Sequence, residues 1–350
     1  MKKKIKICHI VPSNFGGGVE SAAKSFISYS SDNFVFKVYF IKMSEKQNSL
    51  LSIFKSLQYL FRNNPDIILI SLWKSSLLAL IYKFFNKNVK LILFFHATKN
   101  IHLIDSFATN LTALLSFEIW ADSNTTMSER INNLYFFKFY EKLILNNKKK
   151  RIISFVKEKI PPLPEKSCKS TFIYWGRLCP NKNIDKAISL FSKIHALEPN
   201  SKFIIIGPDN GVKELLQSIV TKMNLVDNVF IYDFMNFDEI KKYAKKSSFF
   251  IQLSSFEGMA MSVSESMQLG LIPIVTNVGQ IKIYCQNYFN SLIFDKNEEE
   301  IIKNIFKLIS SRSYYKKMRE NSINTWVNSS TYKTDIAKNF EEISNYFLKK

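Results

Sequence analysis

Asp-x-Asp occurs nowhere in this chain, which removes the usual carboxylate clamp for a nucleotide-bound divalent ion. Cysteine is scarce: Cys8, Cys168, Cys179 and Cys285 lie far apart, without C-x-x-C spacing or the histidine partners of a zinc site. They read as reduced thiols of a cytosolic protein. Long apolar runs are missing too, because Lys74, Lys83 and Asp105 break the best candidates before the roughly 18 residues a membrane span needs. Any membrane contact is therefore expected to be peripheral. The start, Met1-Lys2-Lys3-Lys4-Ile5-Lys6, resembles the charged end of a signal peptide, but the apolar stretch after it soon meets Pro12, Asn14 and three glycines. It reads as a first β-strand. Acidic side chains are few, 29 against 49 Lys and Arg, and no nucleic-acid-binding motif accompanies the resulting +20.

What is present is a chain of 350 residues, 46% hydrophobic, enough for two globular domains. The charge is uneven: residues 1–150 hold 21 basic and 9 acidic side chains (+12), residues 151–350 hold 28 and 20 (+8). Such a field favours an anionic partner. Short apolar runs alternate with helix-like segments throughout: Ile5–Val11, Phe34–Ile41, Ile67–Leu72, Leu91–Phe95 and Ile119–Asp122 in the first half, Thr171–Trp175, Lys202–Ile206, Val229–Tyr232, Phe249–Leu253, Ile272–Val275 and Ser291–Phe294 in the second. That alternation means parallel α/β units. Between the halves, the charge run Lys148-Lys149-Lys150-Arg151 and the proline cluster around Pro161, Pro162 and Pro164, up to Lys166 and Ser167, read as a linker. The expected architecture is two doubly wound, Rossmann-like domains facing across a cleft: residues 1–160, residues 161–330, and a last helix over 331–350 that packs back towards the first domain. Ligands of such sheets bind beyond the carboxyl ends of the strands, so the cleft is the expected active site.

One segment carries most of the chemistry. In Ser254-Ser255-Phe256-Glu257-Gly258-Met259-Ala260-Met261 and on to Glu265 and Gly270, a strand is expected to end, turn, and feed a helix over Ala260–Leu269. Glu257 then sits at the helix mouth and Glu265 about two turns inside, with carboxylates on the order of 10 Å apart along the axis. The free N–H groups of Met259, Ala260 and Met261 between them suit a diphosphate. The bland alternative makes Glu257 a cap and Glu265 a solvated charge. A second element, Trp175-Gly176-Arg177-Leu178-Cys179-Pro180-Asn181-Lys182-Asn183, puts two cations after a strand end, where Arg177 offers a planar fork and Lys182 a mobile point charge to a departing diphosphate. A surface salt bridge is the alternative for Arg177.

Four segments in order carry a resemblance to the retaining glycosyltransferases of family 4, which have the GT-B fold: Gly16-Gly17-Gly18-Val19-Glu20, Gly176-Arg177-Leu178 with Lys182-Asn183, Ile205-Ile206-Gly207-Pro208-Asp209, and Ser254 to Pro273 with its two glutamates. The likeness covers nearly all of the second domain and is looser in the first, where it rests on the glycine loop, His96 and Ala121-Asp122-Ser123. It implies an acceptor-binding first domain and a nucleotide-sugar-binding second one. By position, Arg177 and Lys182 would bind the donor diphosphate, Glu257 a hydroxyl of the donor sugar and Glu265 the ribose. Gly207, Gly258, Met259, Ala260 and Met261 would complete the donor site, and Gly17 and Gly18 would let backbone approach the phosphates. His96 and Glu20 would line the acceptor or sugar region, although His96 could equally cap a buried strand and Glu20 merely complement a helix dipole. Ala260 stands where the family often has Gly, a mild change since the N–H remains, and Val278-Gly279-Gln280-Ile281-Lys282-Ile283 lacks the family's acid.

The function so implied is a retaining, metal-independent transferase with a nucleoside diphosphate sugar as co-substrate and no other cofactor. Its acceptor would be a glycan or lipid-linked glycan of a bacterial surface polysaccharide, at the inner face of the plasma membrane, with peripheral contact to anionic lipid and none to nucleic acid. A sugar-nucleotide epimerase of similar fold and a non-catalytic sugar-nucleotide-binding protein are the rival readings.

Overall fold

The computed structural model describes residues 4–348 except 15–16, 28, 30, 44–47, 99, 101, 134–146, 166 and 296, and the side chains of 49–50. Lys2, Lys3, Gly16 and Lys166, singled out above, lie outside the described residues. The chain forms two compact units, Met1–Glu158 with Ser330–Lys350, and Lys159–Ser329.

The first unit alternates β1 (Ile5–Ser13), α1 (Gly18–Ser25), β2 (Phe34–Lys42), α2 (Ser49–Asn63), β3 (Ile67–Ser71), α3 (Trp73–Phe85), β4 (Lys90–Phe95), α4 (Leu103–Leu115), β5 (Glu118–Ala121), α5 (Asn124–Asn132) and β6 (Lys149–Ile152). The six strands form one parallel sheet in the order β2-β1-β3-β4-β5-β6. Strands covered on both faces need continuous apolar sequence, and Ile67-Ile68-Leu69-Ile70 is fully buried for that reason. The two-residue period sorts it: Ile68 and Ile70 join Leu78, Tyr82 and Leu60 on one side, whereas Ile67 and Leu69 join Phe26, Phe36 and Trp120 on the other. The second cluster is completed by the last helix of the chain, whose Tyr332, Ile336, Phe340 and Ile343 recur at helical spacing and are all buried. Phe340 meets Trp120 at 5.0 Å and Phe36 at 5.5 Å between ring centroids.

The second unit runs β7 (Thr171–Trp175), a 3₁₀ turn (Pro180–Lys182), α6 (Ile184–Leu197), β8 (Lys202–Ile206), α7 (Lys213–Lys222), β9 (Val229–Tyr232), α8 (Phe237–Ala244), β10 (Phe249–Gln252), α9 (Met261–Leu269), β11 (Ile272–Thr276), α10 (Ile281–Tyr284), β12 (Leu292–Phe294), α11 (Glu298–Ser310) and α12 (Arg312–Val327); α13 (Tyr332–Leu348) then returns to the first unit. Its parallel sheet has the order β12-β11-β10-β7-β8-β9. Counted within the unit this is 6-5-4-1-2-3, so successive crossovers change direction between β7 and β10. Loops leaving those two strands diverge and open a crevice at their carboxyl ends.

The charge run Lys149-Lys150-Arg151 corrects the sequence reading, since it is not linker but the edge strand β6, paired in register with β5. Unpaired edges tolerate lysine, and two acids supply the rest: Arg151 donates to both carboxylate oxygens of Glu118 at 2.7 and 3.1 Å and to Glu342 at 2.6 Å, and Lys149 also reaches Glu342.

Candidate active site

The loops after β7 and β10 meet at the crevice of the second unit. Lys182 Nζ lies 2.5 Å from Glu257 Oε1, and the same oxygen accepts from Gln252 Nε2 at 2.7 Å and Ser254 Oγ at 2.6 Å. Glu257 is therefore held from its own strand end and from the opposite loop. Its side chain and that of Lys182 are only 8% and 14% exposed, so this is a buried pair whose desolvation is offset by the two neutral donors. Two hydrogen bonds fasten the loops around it: Ser255 N donates to Asn181 O at 2.9 Å and the Asn183 side-chain Nδ2 to Leu253 O at 2.8 Å. Arg177 is exposed and makes no ion pair among the described residues. The surface salt bridge considered for it is absent there.

The helix start departs from expectation. Ala260 adopts φ 51°, ψ 64°, the left-handed region, and α9 begins only at Met261. Glu257 thus lies in the turn, Glu265 about one turn inside the helix, and the axial-rise estimate of their separation does not apply. Glu257 is no cap either, since α9 has no side-chain cap and Glu257 is spent on Lys182, Gln252 and Ser254. The left-handed Ala260 means that replacing the family's Gly is not mild: a Cβ there costs about 1 kcal/mol. The N–H groups of Met259, Ala260 and Met261 donate to no acceptor among the described residues. Glu265 Oε2 accepts from Trp175 Nε1 at 2.9 Å, which aims the carboxylate towards the end of β7.

Two glycines are needed by packing. A Cβ on Gly207 would fall 1.8 Å from the carbonyl oxygen of Gly176, so the ends of β7 and β8 close only over hydrogen, and one on Gly279, at φ +54°, would fall 2.2 Å from the carbonyl oxygen of Glu257. Gly207, assigned above to the donor, thus has a structural duty. Gly279 and the bond from Gln280 N to Gly258 O at 2.9 Å clamp the glutamate turn from the β11 side.

In the first unit, Gly17 caps α1 in extended conformation and Gly18 opens the helix, while Glu20 folds back to accept from Ser13 Oγ at 3.2 Å. His96 is nearly buried at the end of β4. Ser71 Oγ lies 2.8 Å from both His96 Nε2 and His9 Nε2, and His96 Nδ1 faces Asp122 at 4.0 Å. A hydroxyl has one proton, so Ser71 donates to one ring and accepts from the other. Burial pushes both imidazoles down to about 3 and the Asp122 carboxyl up to about 7. Leu72, next to Ser71, is held at φ 68°, ψ 158°, a region that side chains rarely enter. The reading of the sequence missed His9, Ser71, Gln252 and Trp175. His9 and Gln252 had a signal: each is the polar residue inside an apolar strand, where burial obliges it to find partners.

Among the described residues no group of three or more His, Cys, Asp or Glu could hold a metal ion. Residues 155–325 match the family of glycosyl transferases group 1. A 26% identity over 196 residues relates 55% of the chain to the UDP-Gal:alpha-D-GlcNAc-diphosphoundecaprenol alpha-1,3-galactosyltransferase of Escherichia coli, and the match spans about half (48%) of that curated relative. The fold is that of Anabaena HepE, solved with UDP-glucose (TM-score 0.76, 14% identity, 97% of this chain and all of that one), and of sucrose-phosphate synthase from Thermosynechococcus elongatus (TM-score 0.74, 11% identity, 99% and all). Two doubly wound α/β sheets of the GT-B type, expected from the sequence, are what the chain forms, each with six parallel strands.

Proposed function

We propose that this chain, whose residues 155–325 match the glycosyl transferases group 1 family, is a retaining, metal-independent glycosyltransferase drawing on a nucleoside diphosphate sugar. The observation that carries this reading is the Lys182–Glu257 pair at the strand-order reversal of the second unit, beside exposed Arg177 and three unspent N–H groups. A donor diphosphate entering there takes Lys182 and the N–H groups of Met259, Ala260 and Met261, with Arg177 as a planar fork on the outer oxygens. Released from Lys182, Glu257 keeps Gln252 and Ser254 and turns its acceptor capacity to a sugar hydroxyl. Glu265, aimed by Trp175, takes the ribose. The N–H groups are fixed before the glycosidic bond breaks, so charge developing on the leaving diphosphate meets dipoles already arranged for it. The leaving phosphate takes the acceptor proton as the acceptor attacks from the same face.

The acceptor we infer is a lipid-linked glycan of a bacterial surface polysaccharide such as an O-antigen or capsule, with the enzyme peripheral at the inner membrane face. The Escherichia coli relative's diphosphoundecaprenol acceptor and the +12 of residues 1–150 support this. The test uses a panel of nucleotide sugars, read by slow donor hydrolysis and donor-dependent thermal shift. Glu265→Gln is expected to weaken free nucleoside diphosphate and donor alike, whereas Glu257→Gln spares the free nucleotide and impairs the donor. Equal losses of free nucleotide binding in both would refute the division of roles, and activity that vanishes in excess EDTA and returns with Mg²⁺ would refute metal independence.

A further inference from the structure

Three neighbouring helices of the first unit carry large apolar side chains on their outer faces as well as their inner ones. Helices α2, α3 and α4 lie side by side over one face of the sheet, and a helix so placed ordinarily turns its apolar stripe inward. Here the inner positions mix Leu60 on α2 and Leu78 and Tyr82 on α3 with small residues: Ser52 and Ser56 on α2, Ser76 and Ala79 on α3, and Thr109 and Thr112 on α4. Their hydroxyls are satisfied locally: Ser52 donates to Asn48 O at 2.7 Å, Ser56 to Ser52 O at 2.6 Å, Thr112 to Ala108 O at 2.7 Å, and Thr109 to Asp105 Oδ1 at 2.9 Å. The outer positions hold further large apolar side chains, among them Phe54 and Phe61, Phe84 and Phe85, and Leu103 and Phe107; Phe84 is 76% and Leu103 85% exposed. Phe61, Phe84 and Phe85 form one continuous aromatic knob, with ring centroids 6.1 and 5.2 Å apart. Large apolar side chains gathered on the outside of neighbouring helices, beyond what scattered exposure explains, mark a face that meets something other than water.

Charge chooses the occupant. Across residues 49–116 the sequence has seven Lys and Arg but only two acids, Asp66 and Asp105, and Asp105 is buried. Lys55 and Lys74 on α2 and α3 and Lys87 just after α3 are exposed beside the aromatic side chains of those helices. An apolar face rimmed by cations fits the interface of an anionic bilayer, where rings enter the acyl boundary and ammonium groups meet phosphate. No described helix is long and apolar enough to cross a membrane. We propose that the outer face of α2, α3 and α4 is a lipid-docking surface that inserts its aromatic side chains into an anionic leaflet. This deepens the membrane contact proposed above and rests on that reading, replacing a general attraction of the basic half by insertion at a defined place.

The experiment is flotation of the full chain with phosphatidylethanolamine vesicles containing about 30% phosphatidylglycerol, at low and high salt, with Phe84→Trp and Phe107→Trp as reporters. Expected are a blue-shifted indole emission, quenching by brominated acyl chains, and a part of the binding that survives high salt. Phe84→Gln with Phe107→Gln should lower vesicle binding at least tenfold while leaving the thermal midpoint and donor hydrolysis without vesicles unchanged. Binding that salt abolishes, with no quenching, would mean a diffuse ionic contact and overturns the insertion. Concentration-dependent dimers that the same two substitutions dissolve would make a second copy the occupant and overturn it equally. Vesicle binding with quenching but no hydrolysis of any nucleotide sugar would instead uphold the surface and remove the transferase reading.

Discussion

Arg177 and Lys182 are expected to fail in opposite ways when removed. Arg177 is exposed and unpaired among the described residues, so Arg177→Ala should leave stability within about 0.5 kcal/mol yet raise the barrier to turnover by about 2–4 kcal/mol. Lys182→Met strands the buried Glu257 carboxylate and should cost about 3 kcal/mol of stability as well as activity. Urea unfolding beside donor hydrolysis separates the two. The buried histidines give a second test, in acid. Unfolded imidazoles take up protons below 6.5 that His9 and His96, held at about 3, refuse; their contribution is complete above 6.5 and is lost as pH falls towards 3. Asp122 acts oppositely, keeping its proton up to about 7 against 3.8 unfolded, so its contribution is complete below 3.8 and is lost as pH rises to 7. Between 4.5, where Glu342 begins to titrate, and 6.5 two histidines outweigh one aspartate, so the first unit should weaken on acidification by about 1.4 kcal/mol per pH unit. In the double variant His9→Gln, His96→Gln the slope of urea midpoint against pH should reverse sign.

At the level of elements, the start of α9 offers a clean substitution. Ala260→Gly relieves the left-handed Cβ and should raise stability by about 0.5–1 kcal/mol, read as a higher urea midpoint at unchanged slope; a lower midpoint would mean that the methyl's packing outweighs the strain. That start was misread from sequence because helical periodicity runs smoothly through Ala260, and a backbone dihedral leaves no trace in a hydropathy pattern. The strands were legible because burial on both faces forces unbroken apolar runs such as Phe249-Phe250-Ile251. β6 was not, since Lys149-Lys150-Arg151 is made acceptable by Glu118 and by Glu342, almost two hundred positions later. The same limit governs the site: Lys182 and Glu257 were each visible as chemistry, but their pairing depends on which strands become neighbours.

For the whole molecule, two doubly wound sheets follow from the alternation of apolar runs and amphipathic helices, whereas the strand orders that create the crevice at β7 and β10 come from long-range pairing. Helices α2 to α4 show the converse: only the fold reveals that Phe54, Phe84 and Leu103 point outward while Leu60, Leu78 and Tyr82 point inward. A chain released at residue 329 should retain a cooperative second unit and lose the first, because Phe36 and Trp120 would be bared where Phe340 now covers them. Dye binding to exposed apolar surface, with two unfolding transitions reduced to one, would report this; two intact transitions would contradict it. The return of α13 also sets an order of events at the ribosome. Residues 4–158 emerge first but cannot close, since the segment that seals their core is made only after all of Lys159–Ser329. The half synthesised second therefore matures first, and the half synthesised first waits, with its sheet open on one side, for the length of a whole domain's translation. During that interval the nascent chain offers bare aromatic surface to chaperones, so a translational pause anywhere after residue 158 prolongs the exposure of the first unit, whereas one before it does not.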